Sequence, residues 1–358
     1  MRPMTWRPLL AIWAACSTPP MPTRRTFLLF AAYFALAPPS FAAEPTLLRL
    51  GLLHTLSPAP FYIAKERGYF ADQGIDLRFV FFEAAQPIAA AAVAGDIDVG
   101  ITALTGGFFN LAEKGALRVI GGGLHEEKGW EGSAILVSDK AYDAGLRTPA
   151  KLGGHSVAIT QYGSSFHYMV GRMATALGFD EKSVALRPVQ DIANMVAAVG
   201  SNQVDATIAI ASMAKPLAAS GKAHIIGWVG DIVPYQITAV FTTPRIIQAK
   251  PDLLRAFMKA YARGVNDYRA AFLRTGTDGK PVVDAATEAA IPLIEKYVFT
   301  GDPKAREKIL AGIGYYPKDG ALDVKDVLAQ LAWFKAQGLV KGDADPASLI
   351  DTQFQVKP

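Results

Sequence analysis

The stretch Ala91-Ala92-Val93 leads through a short turn into Ile97-Asp98-Val99-Gly100-Ile101, and further on Ala197-Ala198-Val199 leads into Val204-Asp205-Ala206-Thr207-Ile208, the two aspartates standing 107 residues apart. In each copy an apolar helix ends, an aliphatic residue precedes an aspartate, and an apolar strand begins. One such echo carries little weight, but here it is embedded in a repeated order of strands and helices, which makes two related lobes the better reading. Upstream of the first copy, 48–53 reads as a strand, and Ser57-Pro58 as the N-cap and first residue of a helix that stops at Gly68. The segment 77–82 is the next strand, and Pro87 opens an alanine-rich helix closed by Gly95. Upstream of the second copy, 155–160 is a strand, Gln161-Tyr162-Gly163-Ser164-Ser165 a polar turn, and 166–177 a helix ended by Gly178. A strand at 184–189 and a helix at 192–199 complete the parallel.

Short β-rich runs alternating with helices predict an α/β fold. The expectation is two lobes, each with a mixed, mainly parallel sheet, joined by a hinge. After Trp228 the chain runs through Gly230-Asp231-Ile232-Val233-Pro234-Tyr235 into a β-rich segment at 236–243, then into helical patterns at 251–272, 285–298 and 324–336. The simplest division places 45–138 in lobe one, 139–232 in lobe two, and 233–358 back in lobe one with the C-terminal helices. The chain would cross between lobes near 121–140 and 229–237. Two crossings make a hinge.

Residues 1–42 have a different character. They hold Arg2, Arg7, Arg24 and Arg25 and no Asp or Glu. Thr23-Arg24-Arg25-Thr26-Phe27-Leu28-Leu29 is followed by an apolar run to Leu36 and then by Pro38-Pro39-Ser40-Phe41-Ala42-Ala43, the order of an export signal. The paired arginines are of the twin-arginine type, with Leu29 where Lys is usual, and cleavage is expected after Ala42. Met21 offers a second start, and Cys16 a lipoprotein alternative in which Trp13 stands where Leu is expected. Beyond this leader no apolar stretch approaches the roughly 18 residues of a membrane helix.

The whole chain of 358 residues carries 36 Lys and Arg against 32 Asp and Glu, a net charge of +4. Its four leader arginines account for that excess, so the remainder is formally neutral and gives no basic surface for nucleic acid. Cys16, the single cysteine, is also in the leader. Disulfide frameworks, Cys-rich metal sites and nucleophilic cysteine chemistry are thereby excluded from the remainder.

In open parallel sheets ligands bind beyond the carboxyl ends of the strands. Those ends are 54–57, 83–86, 102–105, 161–165, 190–194 and 210–212, loops rich in hydroxyls and amides and free of Lys and Arg. The candidates are His54, Ser57, Glu83, Gln86, Thr102 and Thr105 from the first lobe, and Gln161, Ser164, Ser165, Asp191 and Ser212 from the second. Phe61, Trp130, Tyr162 and Tyr235 are candidates to stack on a ligand, or else belong to core and interlobe packing. Gly163-Ser164-Ser165 before a helix is either an anion cradle or an ordinary serine cap. Asp191 reads as a helix cap and Glu83 as a first-turn carboxylate; either one entering the cleft would call for a ligand with N–H groups or positive charge.

Catalytic signatures are missing: no G-x-S-x-G, H-E-x-x-H, P-loop or strand-borne G-x-G-x-x-G occurs. His125-Glu126-Glu127 reads as a solvated loop in preference to a metal site, and no cofactor is expected.

The helix start Pro58-Ala59-Pro60-Phe61-Tyr62-Ile63-Ala64, the turn Gly68-Tyr69-Phe70-Ala71-Asp72-Gln73-Gly74-Ile75-Asp76 and the segment Gly95-Asp96-Ile97-Asp98-Val99-Gly100 resemble the periplasmic binding proteins of nitrate, sulfonate and taurine ABC importers. That group also includes binders of the thiamin pyrimidine precursor. The resemblance runs from about 47 to 340 and implies a two-lobed flytrap. Such a protein captures a small solute as a monomer and delivers it to a membrane permease and its ATPase. The strand-end loops, chiefly Ser57, Thr102, Gln161, Ser164 and Ser165, are the implied contacts. Two ligand classes stay open: a sulfonate-like anion, or a neutral or amino-bearing heteroaromatic. An enzyme on the same fold is the alternative of another class.

Overall fold

A computed structural model describes residues 44–277 and 281–356, so the expected export signal at 1–42 lies outside the described residues. The chain enters as β1 (Thr46–Leu53), α1 (Ala59–Glu66), β2 (Ile75–Phe82), α2 (Ala85–Ala94), β3 (Val99–Ala103), α3 (Gly106–Glu113) and β4 (Arg118–Gly122). It crosses through β5 (His125–Glu126) into β6 (Ser133–Ser138), α4 (Asp139–Asp143), β7 (Ser156–Ile159), α5 (Ser165–Leu177), β8 (Ala185–Pro188), α6 (Ile192–Gly200), β9 (Ala206–Ile210), α7 (Ala211–Ala219) and β10 (Ala223–Trp228). It returns through α8 (Val229–Ile232) and β11 (Tyr235–Gln236) to β12 (Thr238–Thr242), followed by α9 (Pro244–Ala249), α10 (Pro251–Phe272), α11 (Ala285–Glu295), α12 (Ala305–Ala311) and α13 (Val324–Ala336).

Two five-stranded sheets result, ordered β2-β1-β3-β12-β4 and β8-β7-β9-β6-β10. The orders superimpose when β1 is matched with β7, β3 with β9, and β12 with β6. In each sheet the first three strands are parallel and the last two pairings antiparallel. Each sheet is therefore mixed and mainly parallel, as expected, with four strands running one way and one against them. The antiparallel strand, β12 or β6, is delivered from the other lobe by a crossing segment. Strand β6 consequently pairs in the second sheet, six residues ahead of the expected boundary at 138/139.

The repeated aspartates show why the pattern recurs. Asp98 accepts from the Arg49 amide at 2.8 Å, and Asp205 from the Ser156 amide at 2.8 Å; both pairs span 49 residues. In each lobe the carboxylate before the third strand ties down the first strand, satisfying an amide that the sheet ladder leaves open. Asp98 is also paired with the Arg49 guanidinium at 3.1 Å.

One core packs the first sheet against α1, α10 and α11; Phe61 and Tyr261 stack there with ring centroids 4.2 Å apart. A second core runs from α2 and α3 through the second lobe to α13. Phe334 of α13 lies 5.7 Å from Phe109 of α3 and 5.8 Å from Tyr168 of α5, so one buried ring touches both lobes. The same helix is sewn to the hinge: Gln330 donates to the Gln236 carbonyl at 2.7 Å, and the Gln236 side chain accepts from the Asp323 amide at 2.7 Å. No helix among the described residues is long and apolar enough to cross a membrane.

Candidate functional site

The hinge is a two-stranded antiparallel ribbon, with Glu126 paired to Tyr235 and His125 to Gln236. This corrects the expectation for 125–127, since His125 and Glu126 form a strand and Glu126 is fully buried rather than solvated. Around the ribbon the strand ends of both lobes face one another across a cavity of about 700 Å³, including its open mouth.

The first lobe contributes Ser57 after β1, Ala85 and Gln86 at the start of α2, and Thr105 before α3; the second contributes Gln161, Ser164 and Ser165 at the start of α5, with Ile192 and Ile210. These six polar side chains are among the expected contacts. Ser164 caps α5 by accepting from the His167 amide at 3.3 Å, and Thr105 caps α3 by accepting from Phe108 at 3.1 Å. Thr238, on the hinge side, accepts from the Leu124 amide at 2.7 Å. A hydroxyl that accepts from a backbone amide keeps its O–H to give away. Thr238 gives its proton to the Tyr316 hydroxyl, which leaves Thr105 and Ser164 with an O–H still to donate.

The lobes touch directly. The Gly106 amide donates to the Gly163 carbonyl at 2.8 Å, and Gln161 donates to Gln86 at the mouth. Gly163 adopts φ +77°, a conformation in which glycine carries no steric cost, and this turns its carbonyl toward the first lobe. Beneath it, His167 Nδ1 accepts from the Gly163 amide at 3.1 Å, which holds the loop and leaves the ring proton on Nε2, 3.5 Å from Glu181.

Several expected contacts lie elsewhere. Phe61 is fully buried in the first core, stacked on Tyr261, because the apolar face of α1 turns toward α10 and away from the cleft. Tyr235 is buried in the hinge against Tyr168, with ring centroids 5.1 Å apart. Tyr162 is 58% exposed and faces away from the cavity, its ring edge-on to His167. Trp130 packs on Tyr315 in a separate surface groove with Lys215 and Glu131. His54 is exposed, bonded to the Tyr297 carbonyl at 2.6 Å and set against Phe81. Glu83 is exposed and stands before the Ala84 cap of α2, outside its first turn. Asp191 caps α6, accepting from Asn194 at 2.7 Å. Thr102 points to the opposite side of β3 from Ala103 and is buried with its hydroxyl unpartnered. Ser212 lines a smaller adjoining chamber that shares Ser57, Leu124, Ser133 and Ile210 with the main one. Ser57 does not cap α1; the helix starts after Pro58 with no side-chain cap, which leaves the Ser57 hydroxyl to the cavity.

The residues missed are mostly apolar. Leu53, Leu124, Phe166, Met169, Ile192 and Ile237 line the wall, and ten of the twenty lining residues are apolar while none is charged. Loops chosen for hydroxyls and amides carried no signal for them. Their only mark in the sequence is position, next to the strand ends.

The family model described as NMT1/THI5 like matches residues 56–271. Among solved structures, the chain is similar to the alkanesulfonate-binding protein SsuA from Xanthomonas axonopodis pv. citri bound to MOPS. Identity is 21%, with 87% of this chain and 100% of that chain covered at a TM-score of 0.65. The periplasmic aliphatic sulphonate binding protein SsuA from Escherichia coli matches at 17% identity, covering 88% of this chain and 94% of the other, with a TM-score of 0.64. The periplasmic nitrate-binding protein NrtA from Synechocystis PCC 6803 matches at 16% identity, 85% and 84% coverage, and a TM-score of 0.62. No curated protein matches the chain by sequence.

Proposed function

The chain belongs to the NMT1/THI5-like family, and from that premise we propose that it is the periplasmic solute-binding component of an ABC importer, closing its two lobes on a small organic anion of the sulfonate type. The observation that carries the ligand class is the set of oriented hydroxyls. Thr105 and Ser164 each accept from a backbone amide and so keep an O–H for a ligand in the cavity they line. An acceptor-rich head group takes both donors at once, and the starts of α2, α3 and α5 add the favourable end of the helix dipole. The apolar half of the wall fits an organic body. Bare nitrate would leave that half uncovered, and the ammonium of taurine meets no carboxylate in the lining.

Closure follows from shared contacts. A ligand shifts the balance between open and closed forms only by its stronger binding to the closed one, so it must touch Ser57 or Thr105 on one lobe and Ser164 or Ser165 on the other. Micromolar affinity corresponds to about −8 kcal/mol. At a hundredfold excess over Kd such a ligand stabilises the folded state by about 2.7 kcal/mol, which a thermal shift reads readily.

The test is a thermal-shift panel of alkanesulfonates, nitrate, taurine, pyrimidines and aromatic acids, followed by titration of the double variant Ser164→Ala, Ser165→Ala. A sulfonate with an apolar body should bind, be recovered chemically unaltered, and lose affinity in the double variant. Unchanged affinity and unchanged closure by small-angle scattering would overturn the assignment. The missing cationic side chains favour a second reading, a neutral heteroaromatic, and preferential stabilisation by the pyrimidines would establish it.

A further inference from the structure

Glu126 lies on the hinge ribbon and is fully buried. Its Oε2 accepts from the Ser133 amide at 3.3 Å, while Oε1 is buried without a partner. Tyr235, paired with it across the ribbon, is likewise buried with its hydroxyl unpartnered. Ser133 opens β6 and lines both the main cavity and the adjoining chamber. The buried carboxyl therefore backs directly onto a hydroxyl of the binding wall.

We propose that Glu126 sets the charge of the solute the cleft accepts, acting through Ser133 as a positioning residue. Carrying its proton, it can donate to the Ser133 oxygen and leave that hydroxyl to donate to an anionic head. As a carboxylate it would claim the Ser133 proton for itself and set a negative charge behind the head group. This deepens the reading of the cleft given above and rests on it.

The surroundings favour the protonated form. Burial pushes the Glu126 carboxyl above its usual range, Asp231 of α8 pushes the same way, and the Ser133 and Gly230 contacts only partly oppose them. On the facing elements stand Tyr235 of β11 and, beyond it, Asp326 of α13 and Arg172 of α5; His125 and Glu127 flank Glu126 on its own strand. Asp326 is itself raised by burial, and Arg172 is engaged by the Tyr168 hydroxyl at 2.6 Å. Among the described residues no lysine or arginine pairs with Glu126.

The experiment titrates the full-length protein and Glu126→Gln with 1-butanesulfonate and with neutral butyl methyl sulfone. At pH 7, Glu126→Gln should bind the sulfonate within about twofold of wild type, because an amide imitates the protonated acid. Toward pH 10 wild type should lose sulfonate affinity, up to about tenfold per pH unit above the Glu126 pKa. Glu126→Gln and the sulfone should escape that loss. An infrared difference spectrum, wild type minus Glu126→Gln, should show a protonated carboxyl band at pH 7. Ser133→Ala, which retains the acid, should narrow the preference for sulfonate over sulfone by about fivefold, the worth of one hydrogen bond, and supports the inference even if Glu126→Gln does not fold. A tenfold tightening of sulfonate binding in Glu126→Gln at pH 7, absence of the acid band, or a pH slope retained in Glu126→Gln overturns the inference while leaving the cleft reading intact. Failure of both probes to bind wild type at any pH overturns the cleft reading and this inference together.

Discussion

Removing Asp98 and Asp205 in turn compares one structural device in two environments. Asp98 accepts from the Arg49 amide at 2.8 Å and from its guanidinium at 3.1 and 3.2 Å, and its side chain is 11% exposed. Asp205 accepts from the Ser156 amide at 2.8 Å and hydroxyl at 2.9 Å, but its side chain is 40% exposed. A hydrogen bond to a charged group contributes about 1.5–3 kcal/mol, and an amide orphaned out of reach of water costs about 1–3 kcal/mol. Asp98→Ala should therefore cost about 3 kcal/mol. In Asp205→Ala water replaces the lost acceptor, which limits the cost to about 1 kcal/mol. With an m value of about 3 kcal/mol/M, the two urea midpoints should differ by about 0.7 M at unchanged m. Burial works against the Asp98 charge, but the Arg49 guanidinium and amide outweigh it and hold the carboxyl below its usual range. Its contribution is therefore complete above the unfolded pKa near 4 and is lost as pH falls through the lower folded value. The gap between wild type and Asp98→Ala should narrow in acid below about pH 4. An Asp205→Ala cost equal to or greater than that of Asp98→Ala, or a gap that persists at low pH, would refute the assignment of the stronger clamp to Asp98.

Three further outcomes follow from packing. Thr102→Val replaces a buried, unpartnered hydroxyl with a methyl group of the same shape, so thermal stability should hold or rise by up to about 1 kcal/mol, and a marked loss would reveal a partner for that hydroxyl. Phe334→Ala removes the ring between Phe109 and Tyr168, and urea unfolding should register a loss of about 3–5 kcal/mol. In Gly312→Ala the new Cβ would stand 2.5 Å from Leu56 Cδ1 and 2.6 Å from Ser212 Cβ on the opposite lobe, wedging the lobes apart. Overpacking of about 1–3 kcal/mol should weaken any solute by about fivefold or more and enlarge the scattering envelope of the liganded protein, whereas unchanged affinity would contradict the contact.

Some elements were legible because their signals are local. The helices at 251–272 and 324–336 have the boundaries that the residue pattern predicts, with Pro251 at the first helical position of the former. Asp191 and Ser164 cap their helices as their types and positions suggest. Ser57 misled for an equally local reason: Ser before Pro is a common cap, but Pro58 takes the cap position and frees the serine for the cavity. Phe61 and Tyr235 stay open between ligand and core in the sequence because aromatic residues near strand ends suit both, and the structure places both in packing.

The sequence by itself determined the doubled α/β grammar, the two crossings and the strand ends that border the cavity, because strand and helix periods and caps are set by neighbours a few residues apart. Only the tertiary structure decided that β6 and β12 exchange lobes, that half the cavity wall is apolar, that Thr105 and Ser164 keep a proton to donate where they line it, and that Glu126 is sealed into the hinge behind Ser133. Each of these depends on which side of a strand end faces the other lobe. Sheet twist and the packing of residues a hundred or more positions apart settle that, and no local pattern records it.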